Sequence, residues 1–299
     1  MKKIAQIKLS AGDKVYNIVN QSFLILILIL VLYPLIYIVS SSFSSTYAVV
    51  SGRVWFLPVD PSLMGYRAVF KNPHIWTGYG NSAYYAFFGT FINLIMTILA
   101  GYPLSRKDFH GRNLIMAFFT FTMLFNGGLI PYYLLVNNLG LIDTRWAMLL
   151  PNAMAIWNVI LTRTYFQSNI PDELHEAAAL DGCNDINFII RIVLPLSGPI
   201  IAVMVLFYAV AHWNSYFDAL IFLKSSRLYP LQIILRNILI QNEVSGDMMM
   251  DVEAMLRQQG LRDLLKYSLI VVASAPVLAI YPFVQKYFVK GIMVGAIKG

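Results

Sequence analysis

Six apolar runs, separated by stretches that carry nearly all of the charge, set the pattern of this 299-residue chain. The first extends from about Ser22 to Phe43, the second from about Ser82 to Leu104 and the third from about Leu114 to Val136. The fourth covers about Trp146 to Thr162, the fifth about Leu196 to Asp218 and the sixth about Tyr267 to Gln285. A helix needs about 20 apolar residues to cross a bilayer, and lipid offers backbone groups no partners outside the helix itself. The pattern therefore predicts an all-α polytopic membrane protein with six transmembrane helices. Asn126-Gly127-Gly128 and Pro131 are expected to break or bend the third span. The first run is too long for the 7–15 apolar residues or so of a signal peptide and contains Pro34, so it reads as an uncleaved span.

Composition agrees with this pattern: 58% of residues are hydrophobic and 12% charged, against about 25% charged in soluble domains. The net charge of +7 comes from Lys and Arg between apolar runs, which suits an anionic membrane face rather than nucleic acid. Lys2, Lys3, Lys8 and Lys14, the turn Arg106-Lys107-Asp108-Phe109-His110-Gly111-Arg112 and the C-terminal lysines place both termini on the cytoplasmic side. Lys224, Arg227, Arg236, Arg257, Arg262 and Lys266 oppose that count; the shortest loops, which are the most basic, decide it. Trp55, Phe56, Tyr66, Trp76 and Tyr79 are candidates for an interfacial belt. The expected organisation is a cytoplasmic tail over 1–21, one membrane domain over 22–288 with an extracytoplasmic segment at 224–266, and a cytoplasmic tail over 289–299. Cys183 is the single cysteine, which excludes an internal disulfide.

Enzymatic signatures are absent. There is no Gly-Lys pair for a phosphate-cradling loop, no G-x-S-x-G elbow, and His74, His110, His175 and His212 lack any metal-ligand spacing. Glu173 and Glu176 share a helical face, and a solvated acidic face explains them better than a catalytic pair.

Between the fourth and fifth runs lies Pro171-Asp172-Glu173-Leu174-His175-Glu176-Ala177-Ala178-Ala179-Leu180-Asp181-Gly182, with Ile192-Val193-Leu194-Pro195 beyond it. Pro171 suits a first helical turn, Asp172 and Glu173 complement the positive dipole end, and Gly182 can end the helix in the left-handed region. Asn184 or Asp185 would cap a second short helix that stops before Pro195. The product is a surface knuckle over 167–195, with Glu176 beside an alanine face.

Glu176-Ala177-Ala178, three residues, Gly182, nine residues and then Ile192-x-Leu194-Pro195 resembles the EAA loop of ABC importer permeases. In that family the loop is a coupling helix that docks on a cytoplasmic ATPase. Trp213-Asn214-x-Tyr216 and Ala219-Leu220-Ile221-Phe222, with Gln285-Lys286-Tyr287-Phe288-Val289-Lys290-Gly291 and Gly295-Ala296-Ile297-Lys298-Gly299, are similar to signatures of the carbohydrate-uptake class. That class includes the second membrane subunit of maltose importers, and the chain is most similar to its complex-glycan branch. Tyr216 departs from the expected Phe but keeps the ring.

The resemblance implies a type I permease fold with an EAA-type coupling helix, multi-pass in the plasma membrane of a bacterium. It implies a second related permease, two ATPase subunits or an ATPase dimer, an extracytoplasmic solute-binding protein and a carbohydrate substrate. ATP and Mg would sit on the partner ATPase, leaving this chain without catalytic residue, cofactor or metal. Glu176, Ala177, Ala178, Asp181, Gly182, Ile192, Leu194 and Pro195 would form the ATPase-coupling surface, and Gly295, Ala296, Ile297, Lys298 and Gly299 a C-terminal ATPase contact.

Sugars are bound by amides, hydroxyls and aromatic faces. Asn93, Asn126, Asn152, Trp157, Asn158, His212, Trp213, Asn214 and Tyr216 are therefore candidates for the substrate path, against interhelical bonding or interfacial anchoring. The alternative function is an ion-gradient-driven secondary transporter or channel. The span interiors as assigned hold no Asp, Glu, Lys or Arg, which argues against ion coupling.

Overall fold

The structure, a computed structural model, describes residues 10–244 and 252–296. It is helical, with no strand among the described residues. The chain forms two compact units: residues 1–71 with 241–272, and residues 72–240 with 273–299.

The first unit begins with α1 (Ala11–Ser42). This helix starts well before the expected Ser22 because Ser10 and Asp13 form a capping box: each side chain accepts the other's backbone N–H, at 3.1 and 3.0 Å. Its apolar stretch from Phe23 to Leu35 is exposed on all sides, the pattern of a helix solvated by lipid or by another chain. Serines end it: Ser42 Oγ donates to Val39 O and Ser44 Oγ to Ser40 O, both at 2.7 Å. Two short helices follow, α2 (Thr46–Val50) and α3 (Met64–Lys71). Of the expected aromatic belt, Trp55, Phe56 and Trp76 are exposed, while Tyr66 hydrogen-bonds Ser42 Oγ at 2.7 Å.

The second unit is arranged around α4 (Pro73–Ser105), roughly 50 Å long at 1.5 Å per residue. Asn72 caps it, Pro73 occupies its first turn, and Pro103 lies in its last turn before Arg106 turns extended. Next come α5 (Arg112–Leu124) and α6 (Leu129–Asn138), bent by 114°. The break falls at the expected glycines, where Gly128 takes φ +88° and Asn126 Oδ1 accepts its N–H at 2.8 Å.

The fourth expected span, Trp146 to Thr162, is not one helix. It is α7 (Trp146–Leu149) and α8 (Ile156–Asn169), separated around Pro151. Beyond α8 lie α9 (Asp172–Leu180), α10 (Asp185–Phe188), a π turn (Ile189–Val193) and α11 (Leu194–Leu196). An 85° bend separates the stretch from α10 to α11 from α12 (Gly198–Trp213), which packs along α4 together with α8.

Then follow α13 (Phe217–Phe222), a 3-10 turn (Ser226–Leu228) and α14 (Leu231–Val244). α14 opens inside the segment expected to be extramembrane, yet Leu231, Ile233, Ile234 and Leu235 are core residues. α15 (Val252–Ala296) closes the chain and belongs to the first unit up to Val272 and to the second from Ala273. Among the described residues three helices are long and apolar enough to cross a membrane, and each bent pair can count as one more, giving up to five where the sequence predicts six.

Candidate functional site

The Ser105 end and the middle of α4 carry the two sets of candidate residues. At the Ser105 end is the knuckle. α9 keeps Ala178 buried in a cluster with Tyr102, Phe166, Ile170, Phe188 and Val193. Glu176, Ala177, Ala179, Asp181 and Gly182 face out, and Leu180 is 91% exposed. The alanine face is thus divided, with one alanine gripping the core and two offered to solvent.

Asp172 fastens this helix to the basic turn after α4, 3.0 Å from Arg106 Nη1 and 3.0 Å from Lys107 Nζ. The Lys107 hydrogen bond, then the Arg106 and Lys107 charges, hold its carboxyl below the usual carboxylate range. On the other side His175 Nε2 lies 3.2 Å from Asp185 Oδ1 and stands edge-on to Phe188, ring centroids 5.1 Å apart.

Pro171 sits one position earlier than expected, as the cap rather than the first helical residue, and leaves the first N–H groups without a side-chain partner. Gly182 takes φ +76°. With it, Cys183 N donates to Ala178 O at 2.9 Å and Gly182 N to Ala179 O at 3.0 Å, the paired bonds of a Schellman end. Asn184, one of the two expected caps, accepts from Asn187 N at 2.8 Å.

The second helix does not stop before Pro195. Leu194 N reaches back to Ile189 O, one residue further than in an α-helix, and the widened turn admits a proline that has no N–H to place. Ile192 and Leu194 are half-buried, and Pro195 is exposed. Of the tail residues, Ile297, Lys298 and Gly299 lie outside the described residues, and Gly295 and Ala296 contribute helical backbone only.

Near the middle of α4 a polar chain runs between elements. Asn93 Oδ1 lies 2.9 Å from His212 Nε2, and Asn93 Nδ2 donates to Asn152 O at 2.7 Å. Asn152 Nδ2 in turn donates to Asp218 Oδ2 at 2.7 Å. Asn93 and His212 are buried, whereas Asn152 is exposed. His212 lies so close to α4 that a Cβ on Gly89 would stand 2.3 Å from Nε2. Beside this pair, Tyr208 OH and Thr97 Oγ1 are 2.6 Å apart.

The remaining path candidates divide. Trp213 is buried and donates to Ala273 O at 3.0 Å, a packing role. Asn158 is buried and Trp157 exposed. Asn126 serves its own turn. Asn214 donates to Val210 O at 2.9 Å and accepts from Gln232 at 3.4 Å. Tyr216 lies under Arg236, whose Cζ is 5.6 Å from the ring centroid. Asp218, Gln232 and Arg236 were not legible as path residues, because their positions follow from tertiary folding of α13 and α14 back onto α4.

A clamp closes this end. Asp143 Oδ1 accepts from Lys224 N at 2.9 Å and Ser225 N at 2.8 Å, and Oδ2 accepts from Ser225 Oγ at 2.5 Å. Led by the Ser225 hydroxyl, these bonds bring its carboxyl down to about 2. No group of three or more His, Cys, Asp or Glu residues is placed to hold a metal among the described residues.

Residues 75–294 match the family described as binding-protein-dependent transport system inner membrane component. The chain is 39% identical over 288 residues to the polygalacturonan/rhamnogalacturonan transport system permease protein YtcP of Bacillus subtilis, covering 96% of this chain and 99% of that one. It is 38% identical over 291 residues to protein LplC of the same organism, covering 96% of each. A solved bacterial ABC transporter involved in import of the acidic polysaccharide alginate contains a chain that superposes with a TM-score of 0.84 at 36% identity, covering 95% of this chain and 100% of that one.

Proposed function

The chain belongs to the family of binding-protein-dependent transport system inner membrane components, and from that premise we propose that it is the permease subunit of an ABC importer for an oligosaccharide or polysaccharide. The named relatives and the alginate importer support a carbohydrate cargo. Family membership also sets aside the ion-gradient alternative. In this reading a separate ATPase docks on the outward face of α9, a second permease completes the membrane pair, and an extracytoplasmic binding protein delivers the sugar. The knuckle and the basic turn then face the cytoplasm, as does the N-terminus. The sugar meets the polar chain around Asn152 and Tyr216, further along α4 from the knuckle.

The observation that carries the proposal is the construction of α9. It is bolted at its back by Asp172 and Ala178, while Glu176, Ala177 and Leu180 are left facing solvent. An apolar residue as exposed as Leu180, next to an acid, is suited to a protein partner. ATP binding on the partner would move this helix as a rigid unit, and the cluster around Tyr102 would pass that motion to α4 and α8. Glu176→Lys tests the proposal. Transport-coupled ATP hydrolysis by the reconstituted complex should fall at least tenfold while the abundance of the permease in the membrane is kept. Unchanged coupling would remove α9 as the docking element.

A further inference from the structure

A cavity of about 260 Å3 opens in the second unit where the basic turn after α4 meets the start of α9. Its lining is of two kinds: the cations Arg106, Lys107 and Arg112, and the apolar bodies of Tyr102, Phe166 and Ile170. Drug-sized ligands fill cavities of about 300–1,000 Å3, so this one suits a smaller, headgroup-sized fragment. Positive charge is in excess around it. Asp172 pairs with Arg106 and Lys107, and Asp108 lies 3.6 Å from Arg106 Nε. Arg112 and the adjoining Arg163 have no carboxylate within ion-pair distance among the described residues, and their like charges repel.

Capping the end of α4 accounts for part of this charge. Arg112 Nη1 donates to Arg106 O at 2.7 Å, and Arg163 Nε donates to Leu104 O at 2.8 Å. Each bond uses one of a guanidinium's five N–H groups, so most of the Arg112 fork remains. Donors without acceptors belong to the lining too. Tyr102 is 5% exposed, and its hydroxyl, like the buried Arg106 Nε, has no hydrogen-bond partner. Pro171 caps α9 without a side-chain bond, so the positive end of this nine-residue helix opens at the cavity that Pro171 and Glu173 line. Against these stand two lining acids: Asp172, already paired, and Glu173, which is exposed.

We propose that this cavity binds a phosphate group, held by Arg112, Lys107 and the N-terminus of α9, with the apolar lining against the organic part of a phosphate ester. Two sources carry that chemistry: a phospholipid headgroup at the membrane surface and a phosphate free in the aqueous phase. A bound phosphate draws on Arg106 and Lys107, the cations that hold Asp172. Occupancy and the fastening of α9 therefore oppose one another, and each weakens the other by the same factor. The link to coupling rests on the proposed docking role of α9; the binding itself does not, and it is measured without any ATPase.

The test is a thermal-shift titration of the full-length permease in neutral detergent at low salt. The probes are dioctanoyl phosphatidylglycerol, dioctanoylglycerol, which lacks the phosphate, and inorganic phosphate. Phosphatidylglycerol should bind about fivefold or more tightly than dioctanoylglycerol, with the difference shrinking as salt is raised. Inorganic phosphate binding as tightly as the lipid would name the free anion as the occupant, and weaker binding would name the headgroup. Arg112→Gln and Lys107→Gln should each weaken phosphatidylglycerol binding about threefold, and Arg112→Lys by less. Asp172→Asn should strengthen it about threefold by releasing Arg106 and Lys107. Should Arg112→Gln fail to fold, Lys107→Gln decides, because the Lys107 side chain is 80% exposed and can be replaced without repacking. No preference over dioctanoylglycerol, or an unchanged preference in the Gln variants that fold, would overturn the site. Unchanged binding in Asp172→Asn would overturn the competition with α9.

Discussion

The Ser105 end of α4 is fastened by charge over an apolar cluster, and the region from Gly89 to Asn93 is held by neutral hydrogen bonds and close contact. At the knuckle, Arg106 and Lys107 grip Asp172 at a partly exposed site. Deeper along the same helix, Asn93 and His212 meet in a buried site against a glycine. Partly exposed ion pairs each contribute about 1 kcal/mol or less and are weakened by salt. A buried polar pair contributes little net stability when intact but costs about 1–3 kcal/mol when one partner is removed. The knuckle attachment therefore tolerates substitution, whereas the Asn93–His212 contact fixes one geometry.

The largest effect is expected where geometry is tightest. Gly89→Val puts a branched side chain into the His212 ring and should destabilise the protein by about 1–3 kcal/mol, measured as a fall in melting temperature of the detergent-solubilised permease. Adding His212→Ala should recover part of that loss, because it empties the space the new side chain needs. An unaltered Gly89→Val melt would mean that α4 and α12 are not held at this distance.

Asp172→Asn should cost less, about 1 kcal/mol at most, and its signature is pH dependence. The Asp172 carboxyl lies below its ordinary range because of Lys107 and Arg106. Its stabilisation is therefore complete at neutral pH, fades as pH falls through the ordinary carboxylate range and is gone below Asp172's own value. Melting temperature followed from pH 7 downward should drop less in the variant than in wild type. Parallel curves would remove Asp172 as the electrostatic fastening.

How much of this contrast could be read from the sequence depended on how local its causes are. Gly182, Asn184 and the Asn126–Gly128 break were legible because each is set by its own turn. The split of the fourth run around Pro151 was not, since the apolar pattern continues through it. Pro195 reads as a stop, but the π turn before it absorbs the ring. At the site, Glu176 and Ala178 could be marked, but not that Ala178 turns inward, and not that Asp172 finds its partners more than sixty residues away in the basic turn. Asp218 joins the polar chain, and Arg236 meets Tyr216, only because distant segments come together there.

Two smaller effects sharpen the comparison. At Gly182 a Cβ would meet nothing within 4 Å, so a substitution there costs only backbone strain at positive φ. Gly182→Ala should cost about 1 kcal/mol and Gly182→Val more, read as the amount of the proposed partner ATPase that co-purifies. Equal recovery would mean the knuckle does not need its left-handed end. The smallest effect is expected for Asn126→Ala, about 0.5 kcal/mol or less, with uptake near wild type, since Asn126 bonds only its own turn among the described contacts. A marked loss of uptake would return Asn126 to the substrate path.

The π turn over Ile189–Val193 also acts as a phase shifter. It holds one residue more than an α turn would, so α10 and the tip it leads to are rotated by about 100° around the helix axis relative to an uninterrupted helix ending at α11. That angular offset helps to set which side of the knuckle looks outward. Deleting one residue in this stretch would leave every side chain of α9 chemically intact while aiming the group in another direction. The direction in which α9 points is thus encoded partly as a counting rule, in the number of residues between two helices rather than in their identities.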